Sequence, residues 1–105
     1  MKESELQTEI LKYLKKNKAW YVKTISSNRK GIPDIICCIQ GYLVAIEVKA
    51  PNKSCLKYTT KLQKLELKAI NDSGGYAFST NSLQHFKNCI NAFIALRMIN
   101  QYLEN

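Results

Sequence analysis

The first clear pattern in the chain is a helical repeat of apolar residues near its start. Within residues 3–17 the apolar side chains return every three or four positions, at Leu6, Ile10, Leu11, Tyr13 and Leu14. This spacing places them on one face of a helix. The pattern therefore predicts a helix over residues 3–17.

Three short segments rich in apolar, aromatic and β-branched residues follow this helix. Segments 20–25, 34–39 and 42–50 each have the length and composition of a strand. A polar, basic stretch at 26–31 predicts a loop between the first two strands. Gln40 and Gly41 alone separate the second strand from the third, which predicts a tight hairpin.

The second half of the chain predicts two helices and one further strand. Segment 51–54 breaks the third strand, and Thr59 or Thr60 can cap a helix that runs to Asn71. A short strand at 76–79 precedes a helical pattern that opens at Ser82 and continues toward Tyr102. The order predicts one mixed α/β domain over residues 1–105, with helices packed on a small sheet.

Composition adds an expectation about partners and location. The chain has 16 Lys and Arg against 8 Asp and Glu, a formal net charge of +8, which favours nucleic acid as a partner. The alternative explanation of this charge is that the lysines serve only to keep the surface soluble. No apolar run is long enough to span a bilayer, so we expect a cytoplasmic protein without a membrane partner. The four cysteines lack Cys-x-x-Cys spacing, which argues against a zinc site.

The hairpin places charged residues together on one face of the sheet. If Gln40 and Gly41 form the turn, residue 39 faces residue 42, and counting outward brings Asp34 opposite Glu47. Lys49 projects on the same face as Glu47, because side chains alternate along a strand. Two carboxylates and an ammonium group are thus predicted to converge.

Such a cluster suits a divalent cation and a phosphate ester. Neighbouring carboxylates repel unless a cation joins them, and their hard oxygen atoms suit Mg²⁺ or Mn²⁺. The ion can polarise a scissile phosphate, while Lys49 stabilises charge on its oxygens. The alternative is a surface ion-pair cluster of little energetic consequence.

Glu3 is the candidate for a third acidic group. On a helical wheel it falls on the same stripe as Ile10 and Leu14, whereas Glu5 and Glu9 fall on the far side. A carboxylate on a buried stripe needs a charged partner, so we expect Glu3 at the metal centre. A first-turn glutamate that is favourable to the helix dipole is the alternative.

These residues resemble the PD-(D/E)xK nuclease superfamily and, within it, the virus-type replication-repair nuclease (VRR-NUC) family. The resemblance spans about residues 3–83 and rests on Glu3, Gly31-Ile32-Pro33-Asp34, Ile46-Glu47-Val48-Lys49, Gln63 and Gly74-Gly75. It implies a restriction-endonuclease-like α-β-β-β-α-β core, with a C-terminal helix over about 82–103 beyond it. It also implies metal ligation by Asp34, Glu47 and the Val48 carbonyl, catalysis by Lys49, and a site completed by Glu3 and Gln63. The alternative that Gln63 is a surface helix residue with no role in the site stays open.

The expected function is a structure-selective DNA endonuclease of replication, recombination or repair, acting as a homodimer on four-way (Holliday) junctions. A flap or restriction-type endonuclease, or a DNA-binding protein that does not cut, are the alternatives. The candidate phosphate contacts are Lys23, Arg29, Lys30, Lys53 and Lys57. The candidate dimer interface is the apolar stripe of Ile90, Phe93, Ile94, Met98 and Tyr102, whose first half can instead pack on its own sheet.

Overall fold

The computed structural model describes residues 1–25 and 29–104. Its elements, in chain order, are α1 (Glu3–Lys16), β1 (Trp20–Lys23), β2 (Ile35–Ile39), β3 (Tyr42–Val48), α2 (Cys55–Tyr58), α3 (Lys61–Asp72), β4 (Tyr76–Thr80) and α4 (Leu83–Glu104). The strands form one sheet in the order β1-β2-β3-β4. The first three are antiparallel to one another and β4 is parallel to β3. The observed fold is thus mixed α/β, as predicted.

The β2–β3 hairpin has the predicted register. Ile39 pairs with Tyr42 and Ile35 pairs with Ile46. Gln40 and Gly41 both have positive φ, at 50° and 86°, which is the backbone of the turn that matches the twist of paired strands. Glycine suits the second turn position because it has no Cβ to oppose this conformation.

Other boundaries differ from the predicted ones. β1 and β3 end at Lys23 and Val48, two residues short of the predicted ends. The short helix α2 was not predicted; the Ser54 hydroxyl caps it by accepting a hydrogen bond from the Lys57 amide at 3.3 Å. Residues 26–28, in the predicted basic loop, lie outside the described residues.

The hydrophobic core lies on one face of the sheet, where α1 and α4 pack on the strands. Alternate strand residues contribute to it, and the fully or nearly buried members are Leu6, Ile10, Leu14, Ile35, Cys37, Val44, Ile46, Val48, Phe86 and Ile90. The intervening strand residues therefore point to the opposite face, where α3 packs on β3 and β4. Among the described helices, none is both long and apolar enough to cross a membrane.

The first half of the predicted α4 interface stripe belongs to this core. Ile90 is buried, and Phe93 and Ile94 pack against the buried cluster. The alternative that this half of the stripe packs on its own sheet is therefore confirmed, because the sheet needs an apolar cover and α4 supplies it. Met98 and Tyr102, one and two turns further along, remain exposed.

Candidate functional site

Asp34 and Glu47 lie side by side on the sheet face opposite the core. Asp34 directly precedes β2, and its backbone carbonyl accepts a hydrogen bond from the Thr24 amide at 2.8 Å, which continues the β1–β2 pairing. Its carboxylate oxygen Oδ2 accepts a hydrogen bond from the Val48 amide, also at 2.8 Å. Since Ile35 pairs with Ile46, the next position outward places Asp34 opposite Glu47, as predicted.

Glu47 is a buried carboxyl group whose environment opposes its ionisation. The residue is 3% exposed. Burial, reinforced by the negative charge of Asp34 and opposed by Lys49, raises the pKa of Glu47 from 4.5 to about 8. Among the described residues, none donates a hydrogen bond to its buried atom Oε1. Asp34 can do so only when one of the two carboxyl groups carries a proton.

Lys49 and Gln63 close the other side of Glu47. The Lys49 ammonium lies 3.3 Å from Glu47 Oε2 and donates a hydrogen bond to Gln63 Oε1 at 2.9 Å. The Gln63 amide group donates in turn to Glu47 Oε2 at 3.1 Å. The three side chains thus form a closed, part-buried hydrogen-bonded ring.

Gln63 owes its orientation to the start of α3. Its backbone amide donates to the Thr60 hydroxyl at 3.1 Å, and its side-chain oxygen accepts from the Thr60 amide at 2.8 Å. This reciprocal capping box fixes the first turn of a helix. Gln63 therefore faces the acid pair and is not a plain surface residue.

Gly31 allows the segment before Asp34 to pack closely against the first turn of α3. It has a φ of +88°, and a Cβ placed there would lie 2.8 Å from both the carbonyl carbon and the oxygen of Leu62. Any larger residue would push the two segments apart, since backbone atoms cannot move aside as a flexible side chain can. Gly31 thereby sets the distance between the Asp34 and Gln63 segments.

Two hydroxyl groups beside Glu47 were not singled out from the sequence. Ser79 pairs with Glu47 across the parallel β3–β4 ladder, which places both side chains on one face. The buried Thr59 donates a hydrogen bond from its hydroxyl to that of Ser79 at 2.8 Å. The chain pattern carries no signal for this pair, because it does not reveal which residues adjoin across parallel strands.

Glu3 does not have the predicted buried position. It is exposed in the first turn of α1, and the buried stripe of that helix begins at Leu6 and Gln7. The described residues contain no group of three or more Asp, Glu, His or Cys side chains placed to hold a metal ion. The structure thus does not assemble Glu3 with Asp34 and Glu47, because a helical wheel gives direction but not how far the core extends along the helix.

The candidate DNA contacts are all at the surface, but they differ in their surroundings. Lys23 and Lys30 are exposed, whereas Arg29 forms an ion pair with Glu66 at 2.9 Å. Lys53, just before α2, has its ammonium group 4.6 Å from the centre of the Tyr58 ring. Lys57, within α2, has its ammonium group 5.4 Å from the same centre. Their contact with DNA stays a prediction.

No protein-family model matches this sequence, and no curated protein matches it.

The donor set at the acid pair fits a divalent cation. Asp34 and Glu47 offer hard oxygen atoms, and the Val48 carbonyl is adjacent in the chain. A cation would relieve the repulsion between the carboxylates and give Glu47 Oε1 the partner that it lacks among the described residues. The chemistry of these donors therefore suits Mg²⁺ or Mn²⁺, and a cation there would meet two carboxylates rather than the expected three.

Proposed function

We propose that this protein is a Mg²⁺- or Mn²⁺-dependent endonuclease that hydrolyses phosphodiester bonds in branched DNA, with the restriction-endonuclease-like core of the VRR-NUC family. The observation that carries this proposal is the pairing of buried Glu47 with Asp34, closed on one side by Lys49 and Gln63. A buried, incompletely satisfied acid pair is costly for stability, which favours a role at a functional site.

Each side chain of the site has a role in this proposal. Asp34, Glu47 and the Val48 carbonyl would hold the cation, which would supply Lewis-acid chemistry at a water molecule and at the phosphate. The Val48 amide orients the Asp34 carboxylate through its 2.8 Å hydrogen bond. The Lys49 ammonium donates hydrogen bonds to the phosphoryl oxygens, and its contacts with Glu47 and Gln63 hold it in place.

The charge of the chain supports DNA as the substrate. A net charge of +8 provides phosphate contacts that do not depend on base sequence. Lys53 and Lys57 follow β3 closely in the chain, so they can contact phosphates that flank the one at Lys49. Binding through phosphates selects DNA by shape rather than by sequence.

The distal half of α4 supports a homodimer. On its inner side, Arg97 lies over the rings of Tyr42 and Phe93, and Gln101 donates a hydrogen bond to the Tyr42 hydroxyl at 2.7 Å. Its outer residues are apolar and exposed, namely Leu96, Met98, Ile99, Tyr102 and Leu103. A helix with its polar residues inward and apolar residues outward needs a further cover, which a second copy can provide. Two copies would bring two sites to the two strands that a four-way junction presents.

A cleavage assay with added metal tests the proposal. Protein stripped with EDTA is incubated with a four-way junction, a flap, a linear duplex and a single strand, each with and without Mg²⁺ or Mn²⁺. We expect metal-dependent cutting of the junction and little cutting of the duplex. Glu47→Gln protein prepared in parallel controls for contaminating nuclease. Binding without metal-dependent cutting of any substrate would overturn the proposal.

A further inference from the structure

The segment of residues 50–59, the α2 loop, leaves the acid pair and returns to it. It begins directly after Lys49 and ends directly before Thr60, whose hydroxyl accepts a hydrogen bond from the Gln63 amide. Lys49 and Gln63 both contact the Glu47 carboxylate. Both ends of the α2 loop are therefore fixed at the acid pair, and the loop projects next to it.

Two hydrogen bonds also tie the α2 loop to β4 and to the residue that follows β4. The buried Thr59 donates to the Ser79 hydroxyl at 2.8 Å, and Ser79 pairs with Glu47 across the sheet. The Asn81 side-chain amide donates to the Lys53 carbonyl at 2.9 Å. These contacts hold α2 at a defined position beside the site.

The exposed side of the α2 loop combines a protruding apolar side chain with cations. Leu56 is 83% exposed, and none of the four residues of α2 is buried. The ammonium groups of Lys53 and Lys57 lie 4.6 Å and 5.4 Å from the centre of the Tyr58 ring. Among the described residues, neither lysine pairs with an acidic side chain. From residue 48 to residue 65 the chain has five lysines and no Asp or Glu, so this region favours a polyanionic partner.

An apolar side chain flanked by cations is a combination with which proteins open base-paired DNA. The cations contact phosphates, while the apolar group enters between two base pairs and unstacks them at a cost in stacking energy. At the branch point of a four-way junction every base is paired, but strands pass there from one helix to another. The flanking base pairs therefore separate more easily than those inside a continuous duplex. Such a side chain adds discrimination between junction and duplex to the binding that phosphate contacts provide.

We propose that Leu56 enters the branch point of a four-way DNA junction as an apolar wedge, while Lys53 and Lys57 contact the phosphates beside it. This inference rests on the proposed nuclease function and adds how that function selects its substrate. The Tyr58 ring holds the two ammonium groups next to the wedge. Because the α2 loop starts and ends at the acid pair, the wedge fixes which phosphate, counted from the branch point, reaches that pair.

A junction with 2-aminopurine next to its branch point tests this proposal, because the emission of this adenine analogue rises when it loses a stacking neighbour. Protein is titrated in EDTA into this junction and into a duplex with the analogue at its centre. We expect the emission to rise with the junction and to stay nearly unchanged with the duplex. Leu56→Ala should bind the junction roughly tenfold more weakly, the effect of removing one leucine from an interface, and should abolish the rise. Leu56→Met, which keeps a similar apolar volume, should recover both.

Leu65→Ala is the matched control, because Leu65 is also an exposed leucine, at 53%, but lies on α3. It should bind and unstack the junction as the unmodified protein does. Lys57→Ala should weaken binding to junction and duplex alike and lower its salt dependence, as expected for a phosphate contact. The inference would be overturned if saturating protein gave no rise in emission with the junction. It would also be overturned if Leu56→Ala, folded by circular dichroism, retained either the rise or the full junction affinity.

The two proposals fail separately. Binding and unstacking in EDTA require no cleavage, so a protein that unstacks the junction through Leu56 but cuts nothing with metal would retain the wedge and lose the nuclease function. A protein that cuts junctions with metal, yet shows neither a rise in emission nor an effect of Leu56→Ala, would retain the nuclease function and lose the wedge.

Discussion

Glu47 concentrates the chemistry of the site in one carboxyl group. It is buried beside a second acid, and its atom Oε1 has no donor among the described residues. Lys49 and Gln63 satisfy only Oε2. Stability alone does not favour such an arrangement, because an apolar residue at this position would avoid the cost of burying the group. The residue is better explained by a ligand that it binds.

The first prediction concerns the stability of the metal-free protein as a function of pH. Because the pKa of Glu47 is raised from 4.5 to about 8, folded protein retains this proton over a range in which unfolded protein has lost it. The free energy of unfolding should therefore decrease as pH rises through that interval. Urea denaturation in EDTA, repeated at several pH values across this interval, measures the free energy of unfolding.

Glu47→Gln is the comparison for the pH experiment, since glutamine cannot ionise. The difference in unfolding free energy between the two proteins should change over this interval, and added Mg²⁺ should oppose the loss in the unmodified protein only. Parallel pH profiles for both proteins would contradict the raised pKa of Glu47.

The second prediction concerns cleavage by variants of the acid pair. Asp34→Asn and Glu47→Gln each remove a negative charge at nearly constant volume, so we expect both to lose cleavage by at least about a hundredfold while they still bind junction DNA. Asp72→Asn is the matched control, because Asp72 forms an exposed ion pair with Lys68 on the surface of α3. Junction cleavage rates at saturating Mg²⁺ decide the matter, and turnover near that of Asp72→Asn in either variant would contradict metal binding by the pair.

At the scale of the elements, local signals predicted much of the structure. Gln40-Gly41 fixed the hairpin register and so the Asp34–Glu47 pair, since a two-residue turn leaves one register. A cap at Thr59 or Thr60 was predicted for α3, and the helix is capped by Thr60. Burial along α1 could not be predicted in the same way: Glu3 shares an angular position with Ile10, but the core does not extend to the first turn. Contacts between elements distant in the chain, such as Ser79 with Glu47, leave no local pattern.

The third prediction tests the contact between the Gly31 segment and α3. Gly31→Ala adds a Cβ that meets the Leu62 backbone at 2.8 Å, at a residue with positive φ. Gly41→Ala is the control, because Gly41 has nearly the same φ but its added Cβ would have no atom within 4 Å. Both should lose stability through backbone strain, and Gly31→Ala should lose about 1–3 kcal/mol more. Thermal unfolding gives the difference, and junction cleavage should fall for Gly31→Ala alone. Equal stabilities would show that the close approach has no energetic consequence.

At the scale of the whole molecule, the sheet separates two kinds of surface. One face is sealed by α1 and α4 around the hydrophobic core. The other carries the acid pair, which Gln63 of α3 contacts, and Trp20 is exposed further along the same face. The distal half of α4 presents a third surface, whose outer side is apolar, beyond the core. This is the surface that the proposed homodimer would bury, and it lies on an element separate from the acid pair, so the two can be altered independently.

The last prediction is that the protein is a dimer through the distal half of α4 and needs that dimer to resolve four-way junctions. Met98 and Tyr102 lie one turn apart on the exposed side of α4. Negative charges placed at these positions in both subunits should repel each other across the two-fold axis of the dimer. We expect sedimentation of the unmodified protein as a dimer, and of Met98→Glu, Tyr102→Glu protein as a monomer. The monomer should still nick single strands or flaps, because its acid pair is intact, but should lose paired incision of a junction. Lys68→Glu, on the exposed side of α3, adds the same type of charge elsewhere and should leave the dimer unchanged. A monomer that resolves junctions by paired incision would refute the prediction.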